Sequence, residues 1–130
     1  MEILIVDDDP MLGKMLKQSI EKLGYRAENA YTGKEAIKKL EEGSFDGILL
    51  DIFLPDCQGH TLIPRFRALN PHIHIITMTG FNTRDLELEV RKQGIDQYFS
   101  KPLDLKVVKM SLDHLANRLE SMGDKQNRMN

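Results

Sequence analysis

Residues 2–16 read Glu2-Ile3-Leu4-Ile5-Val6-Asp7-Asp8-Asp9-Pro10-Met11-Leu12-Gly13-Lys14-Met15-Leu16. The run Ile3–Val6 is apolar throughout rather than alternating. Strands read this way when helices cover both faces of a sheet. Three aspartates close the run. Asp9-Pro10 then offers an N-cap followed by a proline at the first helical position. Leu12, Met15, Leu16, Ile20 and Leu23 fall on one helical face, and Gly24 ends the helix. A buried strand that passes through an acidic turn into an amphipathic helix is the first half of a βαβ unit.

The same alternation continues along the chain. Further strand-like runs occur at Gly47–Leu50, Ile73–Met78 and Ile95–Phe99. Tyr25–Ala30 is the least apolar strand candidate and is expected at an edge. Thr32 and Glu35 have capping-box spacing, which predicts a helix from Gly33 to Glu42. A third helix fits Thr61–Leu69, with Pro64 tolerated in its first turn and Pro71 beyond its end. A fourth fits Thr83–Gln93 and stops at Gly94, and a fifth fits Asp104–Leu119. Five strands and five helices in strict alternation predict an α/β domain with a parallel sheet.

Composition sets the outer limits. The chain has 130 residues, 41% apolar and 29% charged, as expected of one globular domain. Residues 1–120 are expected to form it, with 121–130 a polar tail or the start of a linker. A formal net charge of −2 argues against direct nucleic-acid binding. A single cysteine excludes a disulfide scaffold and any zinc site needing two thiolates. No apolar run approaches the ~20 residues needed to span a bilayer. The start Met1-Glu2-Ile3 lacks signal-peptide character, so no membrane association and a cytoplasmic setting are expected.

Polar residues gather where the apolar runs stop. Asp7 and Asp8 follow the first run, Asp51 follows Ile48–Leu50, Thr79 follows Ile75–Met78, and Lys101 lies just beyond Phe99. In an open α/β sheet, ligands bind outside the carboxyl ends of the strands. These five side chains are therefore expected to converge. Three neighbouring carboxylates repel, and a hard divalent cation relieves that repulsion. Lys101 suits an anionic group, and the Thr79 hydroxyl can donate to a phosphoryl oxygen. Together they suggest phosphoryl transfer with an aspartate as nucleophile.

Five segments carry a family resemblance. They are Val6-Asp7-Asp8-Asp9-Pro10, Leu50-Asp51-Ile52-Phe53-Leu54-Pro55, Gly59, Thr79-Gly80 and Tyr98-Phe99-Ser100-Lys101-Pro102. In this order the chain resembles the receiver domain of two-component response regulators, the chemotaxis-Y-like superfamily, over roughly residues 2–119. The resemblance implies a flavodoxin-like (βα)5 doubly wound sheet with strand order 2-1-3-4-5. It implies a phosphorylation-controlled signalling switch that catalyses its own phosphorylation and dephosphorylation without being an ordinary turnover enzyme. Asp51 would accept a phosphoryl group from a phosphohistidine on a sensor histidine kinase or phosphotransfer protein. Mg²⁺ would be held by Asp7 and Asp8, with Asp8, Asp51 and the Phe53 carbonyl coordinating directly. Lys101 would bind a phosphoryl oxygen. Thr79 would swing toward the phosphoryl group, and Tyr98 would turn inward with it. Pro102 would follow a cis peptide bond. The output surface would be the fourth helix, fifth strand and fifth helix, which could also form a homodimer.

Phe53 and Phe81 stand two residues after Asp51 and Thr79. Both are large and apolar, and they are expected to shield an acyl phosphate from water. Other features have plainer readings. His72 and His74 lack a third ligand and read as structural. Nothing near Cys57 suggests an activated thiolate. Tyr98 could simply pack. The stripe Leu105, Val108, Leu112, Leu115, Leu119 and Met122 either covers the sheet or runs on into a short dimer-forming helix. The main competing function is a pseudo-receiver, a constitutive protein-interaction module, and the intact acidic set argues against it. A haloacid-dehalogenase-type phosphatase would want an Asp two residues after Asp51, where Phe53 stands. A flavodoxin would want a hydroxyl- and glycine-rich phosphate loop where Asp7-Asp8-Asp9 stand. The absent Walker pattern argues against ATP as direct donor.

Overall fold

The computed structural model describes residues 1–129, with side chains as far as residue 121. The elements are β1 (Glu2–Val6), α1 (Pro10–Lys22), β2 (Arg26–Ala30), α2 (Gly33–Glu42), β3 (Gly47–Asp51), a 3-10 turn (Gly59–Leu62), α3 (Ile63–Leu69), β4 (His74–Thr79), α4 (Arg84–Arg91), β5 (Gln97–Ser100) and α5 (Leu105–Met129). The strands form one parallel sheet in the order β2-β1-β3-β4-β5. This is the flavodoxin-like order expected from the resemblance. The register pairs Val6 with Leu50, Asp51 with Met78 and Thr79 with Ser100. The acidic, hydroxyl and lysine positions therefore end at nearly the same level.

The period of two along a strand sends alternate side chains to opposite faces. Leu4, Val6, Ile48, Leu50 and Ile75 pack with Ala36, Leu40, Ile63 and Phe66 from α2 and α3. Ile3, Ile5, Leu49, Ile76 and Met78 pack with Leu16, Ile20, Val108, Leu112 and Leu115 from α1 and α5. A smaller cluster of Ile52, Val90 and Tyr98 lies under α4.

The helix starts follow the capping signals. The Asp9 carboxylate accepts from the N–H groups of Met11 and Leu12 at 3.0 and 3.4 Å. Thr32 Oγ1 accepts from Glu35 N–H at 3.1 Å, and Glu35 in turn accepts from Tyr31 N–H at 3.0 Å. Thr83 does the same for Leu86. After α1 the chain turns through Gly24 at φ +91°, a conformation that side-chain-bearing residues rarely adopt.

Several boundaries differ from the sequence reading. The predicted third helix is preceded by a 3-10 turn that begins at Gly59, and its α-helical part starts at Ile63. β5 begins at Gln97 rather than Ile95. Asp96 lies just outside the strand, and its carboxylate accepts the Ile75 N–H at 2.8 Å. The polar stretch read as a tail is helical: α5 continues to Met129. That stretch contains no proline and several good helix formers, so one interior glycine, Gly123, does not stop it. In the expected stripe, Val108, Leu112 and Leu115 are buried, Leu119 is half-buried and Leu105 is exposed. The side chain of Met122 lies outside the described residues. His72 is exposed ahead of β4, while His74 Nδ1 lies 3.2 Å from an Asp96 oxygen.

Candidate functional site

The site lies at the carboxyl edge of β1, β3, β4 and β5. Asp7 and Asp51 are buried, Asp8 is exposed, and each offers an oxygen within 4.8 Å of the others. Lys101 Nζ reaches across from the loop after β5. It donates to Asp7 Oδ2 at 2.7 Å and to Asp51 Oδ2 at 3.1 Å. The remaining oxygens are also engaged: Asp7 Oδ1 accepts from Asp9 N–H at 2.9 Å, and Asp51 Oδ1 from Phe53 N–H at 3.3 Å. The Lys101–Pro102 peptide bond is cis, as the resemblance implied.

The electrostatics follow from that geometry. Burial, reinforced by the charge of Asp7, pushes the Asp51 carboxyl above its ordinary value, with Lys101 and the Phe53 N–H opposing. Burial works against the Lys101 ammonium, but its bonds and charge contacts with Asp7 and Asp51 outweigh that and raise its pKa. One ammonium stands against three carboxylates, so the cluster keeps an excess of negative charge. Its donors are all oxygen, with no thiolate or imidazole in the set. This donor set fits a hard divalent cation.

Thr79 is buried and turned onto its own loop. Its hydroxyl donates to the Phe81 carbonyl at 3.2 Å and accepts from the Phe81 N–H at 3.1 Å. The five expected side chains thus stand at one edge, but Thr79 is not bonded to the carboxylate–lysine group. The Tyr98 ring packs with Ile52 and Val90 while Thr79 stays on its own loop. Its hydroxyl donates to Asn82 Oδ1 at 2.7 Å, and the Arg91 guanidinium lies 5.6 Å from the ring centre. Phe53 and Phe81 meet edge to face, with ring centres 6.1 Å apart, and both remain exposed.

The loop after Asp51 is fastened at several points. Phe53 bridges Gln58, Leu54 N–H donates to the Cys57 carbonyl, and Gly59 N–H donates to the Ile52 carbonyl at 2.6 Å. Asp56 reaches back to the first turn of α2 and accepts from Gly33 N–H at 2.9 Å and Lys34 N–H at 3.0 Å. The first of these bonds chiefly holds the Asp56 carboxyl below its ordinary value. A depressed folded-state pKa gives stability that is present above the unfolded value near ~3.9 and lost as pH falls through the folded one. Asp56→Ala is therefore expected to cost about 1 kcal/mol at pH 7, as loss of a helix N-cap does. The difference from wild type should be smaller at about pH 3. Urea unfolding at the two pH values checks this. Burial and the neighbouring Asp56 raise the Cys57 thiol pKa, consistent with an unactivated thiol.

The sequence reading singles out neither Asp56, His60 nor Asn82. A Pro-Asp turn is a signal for a cap, but the N–H groups that Asp56 meets lie 22 and 23 residues earlier. Their meeting is a product of the fold.

Residues 3–113 match the response regulator receiver domain. The chain belongs to that family. Transcriptional regulatory protein ZraR of Salmonella typhimurium is 33% identical over 112 residues, covering 86% of this chain and 25% of that protein. Sensor histidine kinase RcsC of Escherichia coli is 31% identical over 124 residues, covering 95% of this chain and 13% of that protein. The chain thus spans a quarter or less of these curated relatives. A response regulator from Burkholderia pseudomallei, solved with a phosphorylated aspartic acid, calcium ion and citrate, superposes with a TM-score of 0.80. It is 25% identical, with 97% of this chain and 74% of that one covered. Among the described residues, no helix is long and apolar enough to cross a membrane.

Proposed function

We propose that this receiver domain is a switch set by phosphorylation of Asp51, in the cytoplasm, with a phosphohistidine on a kinase or phosphotransfer protein as donor. The observation that carries this reading is the set of three close carboxylates, two of them bonded to one lysine. A solved relative with a phosphorylated aspartic acid and a relative named as a sensor histidine kinase support it.

In this reading an Asp51 oxygen forms a bond to phosphorus as the donor's phosphorus–nitrogen bond breaks. The leaving imidazole keeps the electron pair and takes up a proton. Lys101 then holds a phosphoryl oxygen. Thr79 leaves the Phe81 backbone and turns its hydroxyl toward the new group. The negative charge that arrives biases a two-state equilibrium read out on α4, β5 and α5. Asp8, Asp51 and the Phe53 carbonyl would hold Mg²⁺, with Asp7 beside them, and the ion when bound supplies positive charge against the crowded oxygens.

The test is intact mass after incubation with acetyl phosphate. One phosphoryl group should be gained with Mg²⁺ and none in chelator. No gain in either condition would favour the constitutive interaction module instead. The same assay reads the aromatic pair. Phe53→Asn and Phe81→Glu each open the mouth of the site to water and should shorten the phosphoryl lifetime several-fold. An unchanged lifetime would remove shielding from the account.

A further inference from the structure

His60 is a buried ionisable residue that the proposed chemistry does not use. It sits in the 3-10 turn directly after Gly59, whose N–H is bonded to Ile52, the neighbour of Asp51. Its ring is 2% exposed. Nε2 lies 3.3 Å from Glu89 Oε1 on α4, while Nδ1 has no hydrogen-bond partner among the described residues. The Glu89 side chain is 63% exposed. The ring thus depends for its polar contact on one carboxylate carried by another element.

That element is weakly anchored. Of the eight residues of α4, only Val90 is fully buried. On its β5 side, α4 and its leading loop are tied to Tyr98, through Arg91 and Asn82. From the phosphoacceptor side, the described polar contact is His60–Glu89. A short, half-solvated helix with little apolar burial opens at low cost, so a single polar contact is a large share of what positions it.

We propose that the His60–Glu89 contact is a latch joining the turn after Asp51 to α4, and that it favours the conformation in which Thr79 is bonded to its own loop. The inference rests on the switch reading given above. Because the latch belongs to the conformation before phosphorylation, breaking it favours the other one. A ligand of that other state then binds more tightly by the factor the latch contributed.

The experiment compares wild type with Glu89→Ala and Glu89→Gln. Glu89 is exposed and outside the acidic site, so these variants keep the fold accessible where a change at buried His60 could lose it. Amide hydrogen exchange is measured first without donor or metal. Residues 84–92 should exchange about three- to tenfold faster in Glu89→Ala, the range for one hydrogen bond, with Leu49 and Ile76 in the sheet unchanged. Glu89→Gln retains an acceptor and should lie near wild type. Beryllofluoride with Mg²⁺ is then titrated, and half-saturation should fall by the same three- to tenfold in Glu89→Ala. Unchanged exchange in α4, faster exchange throughout the sheet, or an unchanged titration would each overturn the latch. Failure of the switch reading is seen separately, as wild type that binds no beryllofluoride and gains no phosphoryl group. The donor-free exchange then still decides whether the contact holds α4.

Discussion

Asp51→Asn is expected to abolish phosphoryl gain from acetyl phosphate and, in metal-free buffer at pH 7, to melt higher than wild type. The first effect follows from the loss of the oxygen proposed as the nucleophile. The second follows from the site's charge. Asp51 is 4% exposed and pressed against Asp7, and its folded-state pKa lies above the ordinary value because of burial and that neighbour. For a carboxyl raised in the folded state, the ionised form weakens the fold. That loss is present at neutral pH and is recovered as pH falls through the folded pKa toward the unfolded value near ~3.9. The amide removes the charge and leaves Lys101 paired with Asp7. A rise of a few degrees is expected in calorimetry at pH 7, closing as pH approaches ~4. Added Mg²⁺ should stabilise wild type more than the variant, since binding to the folded state adds stability by mass action. A variant that still gains the phosphoryl group would move the acceptor elsewhere. One that melts lower in chelator would show that Asp51 supports the fold more than it strains it.

Gly59→Ala is expected to be among the most damaging single substitutions in the chain. A Cβ at Gly59 would overlap the Asp51 carbonyl, with the Leu50 Cδ1 at 3.1 Å beside it. Neither yields cheaply. The carbonyl belongs to the last residue of a central strand, and Leu50 is fully buried. Overpacking of this kind costs about 3 kcal/mol, which lowers the melting midpoint by roughly 10 °C for a domain of this size. The site should suffer too, because the turn that moves is the one bonded to Ile52. Gly80→Ala is the control, since its added carbon would meet its nearest neighbour at 3.8 Å. It should be near neutral. Equal melting of the two variants would mean that the turn after Asp51 relaxes freely.

Most of the fold is legible in the sequence because the decisive signals are local. Ile3–Val6 and Ile48–Leu50 announce buried parallel strands, and Asp9, Thr32 and Thr83 each cap a helix within three residues of themselves. Asp7, Asp8, Asp51 and Lys101 are legible as a cluster because each follows a strand of a sheet whose active edge is known in advance. Other features depend on where distant segments happen to lie. Nothing near Asp56 says that it caps α2. Nothing near His60 says that Glu89 will be its partner. The orientation of Tyr98 depends on Ile52, Val90 and Asn82, which three other segments contribute. The run of α5 past Leu119 is only one of two readings in the sequence, because Met122 alone carries the apolar stripe into a stretch whose polar composition otherwise reads as a loop, although helix propensity permits it.

The sheet also acts as a partition. Leu16, Ile20 and Leu112 on one side and Leu40, Ile63 and Phe66 on the other belong to separate packed groups, with one layer of backbone between them. Changes at sites without shared partners add rather than compound. Each side of the molecule can therefore accumulate replacements on its own account, without waiting for a compensating change across the strands. Descendants of one ancestral chain can diverge widely on either face while the carboxyl edge of the sheet keeps its place.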